Sequence, residues 1–183
     1  RRIMNKNNFW VIKIALLTFL LAIVMSILSN ISLRSTNLFF ASILLILIIF
    51  IGIFFDMIGI AIAAVDPSPF YSMASQKVKG SKQNIYLIKN ASMVANICND
   101  VVGDIAGIIS GAASAIIISK IMRYNLTFLN KSIISILLTA IVASLTVGGK
   151  AVGKIVGISY ANEIIMKVGK VIYYFDKLFK IDR

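Results

Sequence analysis

The stretch LFFASILLILIIFIGIFFDMIGIAIAAV, Leu38 to Val65, decides the fold class. It is 28 residues of almost unbroken apolar side chains, and a helix of that length spans a bilayer core of about 30 Å. The run stops at DPSP, Asp66 to Pro69, because a residue that precedes proline is pushed out of helical geometry. One feature is out of place: Asp56 is the only charge within it.

Working outward, three further apolar runs appear. Phe9 to Leu28 follows Arg1, Arg2 and Lys6. A signal peptide has the same charged start, but its apolar core is about 7–15 residues and ends in a small-residue cleavage site. This run is longer and is read as a retained span, with Trp10 near the interface. Met93 to Ser119 and Ser132 to Val147 complete a set of four, the last followed by GGKAVGK, Gly148 to Lys154. The expected organisation is an all-α, polytopic membrane bundle. Residues 1–37 form a first span and a short external loop, and 38–160 form the core, with a basic segment at 66–92. Residues 161–183 form an amphipathic helix.

The composition agrees with this class. Of 183 residues, 59% are hydrophobic and 14% charged, with 19 Lys and Arg against 7 Asp and Glu. That basic balance shows no interleaved basic and aromatic groove, so nucleic acid is not an expected partner. It suits anionic lipid head groups instead. Fifteen Lys and Arg fall at the two ends and in the segment between the second and third runs, against four in the other links. The positive-inside rule then places a multi-pass protein in the cell membrane with both termini cytoplasmic. Cys98 is alone and there is no histidine, which removes an intrachain disulfide, a classical zinc site and His-based acid–base catalysis. No nucleophile–base arrangement stands out, so the chain is not read as an enzyme.

The tail, Ala161 to Ile181, places Ile164, Val168, Val171, Ile172, Phe175, Leu178 and Phe179 on one face and Lys167, Lys170 and Lys177 on another. Two placements suit that pattern equally: a helix lying in the membrane interface, and a helix packed on the protein's own spans.

The third run contains NDVVGDIAGIISG, Asn99 to Gly111. Asn96, Asp100 and Asp104 recur every four residues and are expected on one helical face. Gly103, Gly107 and Gly111 form a second line at the same spacing, the pattern of a close helix–helix seam. At about 1.5 Å per residue, Asp56 lies about 27 Å along the second span, Asp100 and Asp104 about 10–17 Å along the third, and Lys150 about 27 Å along the fourth. All four arrive at a similar level, and the site is expected towards the cytoplasmic third of the bilayer. An intramembrane charge costs at least about 2.5–3.5 kcal/mol and needs something to face. Two readings stand level: a cation site, helped by hydroxyls at Ser110, Ser114, Thr139 and Thr146, or a salt bridge to Lys150 or Lys154.

Three stretches in order carry a family resemblance: IFFDMIGIAIAA (Ile53–Ala64), ICNDVVGD (Ile97–Asp104) and GKAVGK (Gly149–Lys154). From about Ile51 to Ile172 the chain resembles the transmembrane domain of the CorC/CorB and cyclin M family, which is associated with magnesium transport. That family has a serine with a glutamate three residues on, a GNT turn opening the next span after a basic segment, and a closing GExxPK. The resemblance implies Mg²⁺ as cargo, a homodimer and a metal site that includes Asn99 and the position of Asp56, to which Asp100 and Asp104 are acidic additions of this sequence. It also leaves a place for a separate cytoplasmic regulatory partner, since the usual regulatory domains do not follow. Asn99 keeps the family's asparagine. Asp56 stands at the serine, Gly59 at the first glutamate and Lys150 at the closing glutamate, which reverses a charge. Either a cation is held by Asp56, Asn99 and Asp104, with Lys150 turned to Asp100 or to the lipid phosphates, or Lys150 is a tethered cation that replaces the ion. The second case would make the protein a non-transporting, structural or accessory member whose Asp–Lys cluster is a clamp.

Overall fold

The computed structural model describes residues 2–123 and 128–179, with side chains at 12–123 and 131–179. The expected interface position of Trp10 lies outside the described side chains, as do Arg1 and residues 180–183 of the charge tally. Among the described residues the chain is all-α: α1 (Arg2–Ser35), α2 (Leu38–Ala64), α3 (Ser68–Ser75), α4 (Ser81–Lys89), α5 (Ala91–Asn96), a π-helical stretch (Ile97–Gly103), α6 (Asp104–Ile121), α7 (Phe128–Ser159) and α8 (Ala161–Leu178). Four segments are long and apolar enough to cross a membrane: Ile12–Ser35, Leu38–Ala64, Ala91–Ile121 and Lys131–Ser159. Large apolar side chains stand exposed along them, among them Phe19, Phe39, Phe50, Ile136 and Val152. A water-soluble protein seldom leaves so continuous an apolar surface uncovered.

The chain divides into two compact units, Arg1–Ile51 with Asp104–Thr146, and Gly52–Gly103 with Val147–Arg183. In the first unit α1 packs on α6. The buried side of α6 runs through Ile105, Ile109, Ala113 and Ile117, the three-to-four residue period of one helical face. Lys120, near the end of α6, donates from Nζ to the carbonyl oxygens of Leu33 and Thr36. Those carbonyls lie where the closing turn of α1 runs out of intrahelical donors, and an ammonium is the favoured partner at that end of a helix dipole. The two-residue link Thr36–Asn37 then turns the chain, and the Asn37 side-chain oxygen accepts the Phe40 N–H at 3.1 Å to cap α2.

In the second unit, Ala61, Ile62, Phe70, Leu87, Ala95, Ala161 and Ile165 form one core. The stop at DPSP is built as expected. The Asp66 carboxylate accepts the Ser68 N–H at 3.0 Å and the Ser68 hydroxyl at 2.9 Å, and these bonds hold its carboxyl below the usual carboxylate range. Pro67 opens α3, and the Asp66 N–H reaches the Asn162 side chain at 3.3 Å. The basic segment, which reads as polar linker, folds into α3 and α4. Gly80 between them takes φ +88°, and a Cβ there would lie 2.8 Å from the Lys170 nitrogen, so both backbone angle and space call for glycine.

Two expectations are corrected. The fourth span does not end near Val147; α7 runs on to Ser159. GGKAVGK is therefore inside a helix, and its glycines serve packing. Gly149, Gly153 and Gly157 line one face of α7 against Ile53, Met57 and Ile60 of α2. A Cβ on Gly157 would come within 2.8 Å of the Met57 carbonyl oxygen. The seam expected at Gly103, Gly107 and Gly111 holds only at Gly103, since a Cβ on Gly107 or Gly111 meets nothing within 4 Å. Asp100 and Asp104 are both exposed and Asn96 is half-buried, with the π-helical stretch Ile97–Gly103 lying between Asn96 and Asp104.

Gly157→Ala is expected to lower unfolding stability in detergent by about 1–3 kcal/mol through overpacking. Gly111→Ala should leave it unchanged or raise it by about 0.5–1 kcal/mol through helix propensity. Equal losses at both sites would refute the α2–α7 seam.

Asp66 has a lowered folded pKa, so its contribution is complete above the unfolded carboxylate value and disappears as pH falls through the folded one. The stability gap between wild type and Asp66→Ala should therefore be widest near neutrality and close under acid, as a pH series of melting curves would show.

Candidate functional site

The site lies in the second unit, where α2, the π-helical stretch and the lower part of α7 supply its groups. Asp56 is the buried acid, 9% exposed within an otherwise apolar α2. Its position follows from the helix around it: Ile53, Met57 and Ile60 meet the α7 glycines. Lys150 lies between Gly149 and Gly153 of that seam, so the close approach of α7 to α2 carries its ammonium to the same place.

Gly103 marks where they converge. A Cβ on Gly103 would lie 3.6 Å from Asp56 Oδ1, 3.6 Å from Lys150 Nζ and 3.4 Å from the Cys98 carbonyl oxygen. The carboxylate and the ammonium thus border one point and stand no further apart than twice that distance. A Cβ at 103 would touch both groups at ordinary van der Waals distance.

One turn away, Asn99 is fitted to Gly59. Its Oδ1 would lie 1.9 Å from a Cβ on Gly59, so the amide oxygen occupies the space a side chain there would need. That oxygen is buried and accepts no conventional hydrogen bond. It faces the bare Cα of Gly59, the arrangement of a weak Cα–H···O contact. A glutamate at 59, which the resemblance would place there, could not coexist with this Asn99 position. The π-helical stretch supplies both Asn99 and Gly103, and such stretches recur at functional sites because they break the i→i−4 ladder locally.

The remaining expected residues are placed differently. Asp100 is exposed on the π-helical stretch, and Lys154 is exposed on α7. Asp104 opens α6 in the first unit and is also exposed. Among the described residues no three His, Cys, Asp or Glu side chains gather as a metal cluster. The hydroxyls considered as ligands bond their own helices: Ser110 to the Gly107 carbonyl at 2.8 Å, Ser114 to Gly111 at 2.7 Å, Thr139 to Ser135 at 2.9 Å and Thr146 to Val142 at 2.8 Å. The sequence reading missed the Asn99–Gly59 fit and the α7 glycine seam. The seam's signal was present, as three glycines at four-residue spacing from Gly149.

Chemically, the site offers a carboxylate and an amide oxygen, both hard donors suited to a hard cation, together with one resident ammonium. Comparison with protein-family models, with curated proteins and with solved structures finds no match for this chain.

Lys150→Met should destabilise the protein by about 3–5 kcal/mol, the cost of stranding a buried charge, and Asp56→Asn in that background should recover most of the loss. Additive effects in the double variant would show that the two groups do not interact.

Proposed function

We propose that this chain is an integral membrane protein that binds a divalent cation and passes it across the bilayer, the cation being magnesium as the resemblance to the CorC/CorB and cyclin M transmembrane domain implies. The observation that carries the reading is the convergence over Gly103 of a buried Asp56 carboxylate with a mobile type of cation, the Lys150 ammonium, one turn from the orphan Asn99 oxygen. A site that holds one positive group by oxygen atoms has the electrostatics to hold another. Asp56 and Asn99 are the protein's ligands in this reading. Lys150 holds the place in the ion-free state and swings aside when the ion enters. Asp100, exposed on the π-helical stretch, lies outside this inner set and raises the local cation concentration. The basic balance supports a topology with both termini cytoplasmic.

A second reading is favoured by the same ammonium. If Lys150 never leaves, the pair is a permanent clamp between α2 and α7, and the protein is a structural or accessory membrane component.

Thermal unfolding in detergent across a Mg²⁺ titration separates the two, with Na⁺ and Ca²⁺ at matched ionic strength. A specific ion at 100 times its dissociation constant stabilises by about 2.7 kcal/mol. The transport reading expects a saturable rise with Mg²⁺ that Asp56→Asn abolishes, and a rise at lower Mg²⁺ in Lys150→Met, where the competitor is gone. A flat response in both wild type and Lys150→Met would leave only the clamp.

A further inference from the structure

The tail helix divides into two halves with different surroundings. Ala161, Ile165 and Gly169 are buried, and they face α4. The Asn84 side chain is 2% exposed and presses on Gly169, where a Cβ would come within 1.8 Å of its Oδ1. Gln83 donates to the Asp176 carboxylate at 3.2 Å and extends the hold on α8 further along. The first half is therefore packed on the protein.

The second half keeps an uncovered apolar stripe. Val171, Tyr174, Phe175, Leu178 and Phe179 are 54–75% exposed. Their spacing places all five on one side of the helix, next to the face that meets α4. The Phe175 and Phe179 rings stack along it at 6.4 Å between centroids. Lys170 and Lys177, both exposed, flank the stripe on its other side.

Between α4 and α8 lies a cavity of about 360 Å³. Ile85, Tyr86, Leu87 and Ile172 make most of its wall, and Lys82 and Lys89 stand on it as exposed ammonium groups. An apolar hollow bordered by cations matches an amphiphile with a negative head and an apolar body. The position in the chain names that amphiphile. Only Tyr160 separates α8 from α7, whose segment Lys131–Ser159 is a candidate membrane span. A helix that begins one residue past the end of a span begins at the lipid surface. A second copy of the chain is a poorer occupant, since a two-fold contact through the stripe would bring the flanking lysines of both copies together.

We propose that the α4–α8 layer is a docking surface for anionic phospholipid. The stripe from Val171 to Phe179 enters the head-group and upper acyl region, and Lys82 and Lys89 at the cavity take the head-group phosphate. This proposal does not depend on the cation reading.

The test uses the full chain in lipid nanodiscs. Trp10→Phe removes the native tryptophan, and Phe175→Trp, at a position 57% exposed, supplies a reporter in the stripe. Spin-labelled phosphatidylglycerol and spin-labelled phosphatidylcholine are compared as quenchers at equal content. The expected result is strong quenching by both, several-fold stronger with phosphatidylglycerol. Lys82→Gln with Lys89→Gln should bring the two quenchers towards parity while quenching itself persists. Equal quenching before those substitutions, or a preference that survives them, would overturn the anionic site. An unquenched reporter would overturn the docking altogether: a water-like emission would mean a bare surface, and a blue-shifted one would mean cover by protein such as a second copy.

Discussion

A carboxylate set in an apolar helix must be answered by something positive or by hydrogen-bond donors. Leaving it bare in hydrocarbon costs several kilocalories per mole. Asp56 is that group here, and much of the second unit is arranged around it. Lys150 can approach it only because α7 comes close to α2. That closeness needs Gly149, Gly153 and Gly157 opposite Ile53, Met57 and Ile60. Gly103 then leaves space for both charged groups on the third wall. Packing and electrostatics are one constraint at this place, since a methyl group on the seam would move the charge.

The π-helical stretch has a similar double part. It carries Asp100, which like Asp104 at the start of α6 lies at the exposed surface. It also presents Asn99 to Gly59, where a buried amide oxygen is left without a conventional donor. Native proteins seldom leave such an acceptor unpaired, and the exceptions are often places where a ligand, an ion or a strained geometry is used. Asn84 Oδ1 is unpaired in the same way against Gly169, so it is the place of Asn99, one turn from Gly103, that puts it with Asp56 in the proposed inner site.

Elsewhere polar groups close helices. Lys120 closes α1, Asn37 opens α2, and Asp66 holds the turn into α3. The spare hydroxyls of α6 and α7 return to their own backbones. With those groups occupied, the uncovered features are the exposed apolar rows of the long helices and the stripe at the end of α8. Both are surfaces that lipid would cover.

The amino-acid sequence by itself determined the helical class, the four long apolar segments and the break at DPSP. Those properties are local: run length, apolar content and the geometry before a proline act within one stretch of chain. It also marked Asp56, Asp100, Asp104 and Lys150 as charges in need of a partner, because a charge in an apolar run is conspicuous wherever it points. Only the tertiary structure decided which partners meet. Whether Gly107 or Gly153 makes a seam depends on which helix lies opposite, and both occur at the same four-residue spacing. The fit of Asn99, on the π-helical stretch, to Gly59 of α2 is a contact that no single-helix pattern contains. The tail shows the same division. Its amphipathic pattern suited lipid and protein equally, and the fit of Asn84 to Gly169 assigned its first half to protein and left the second half open.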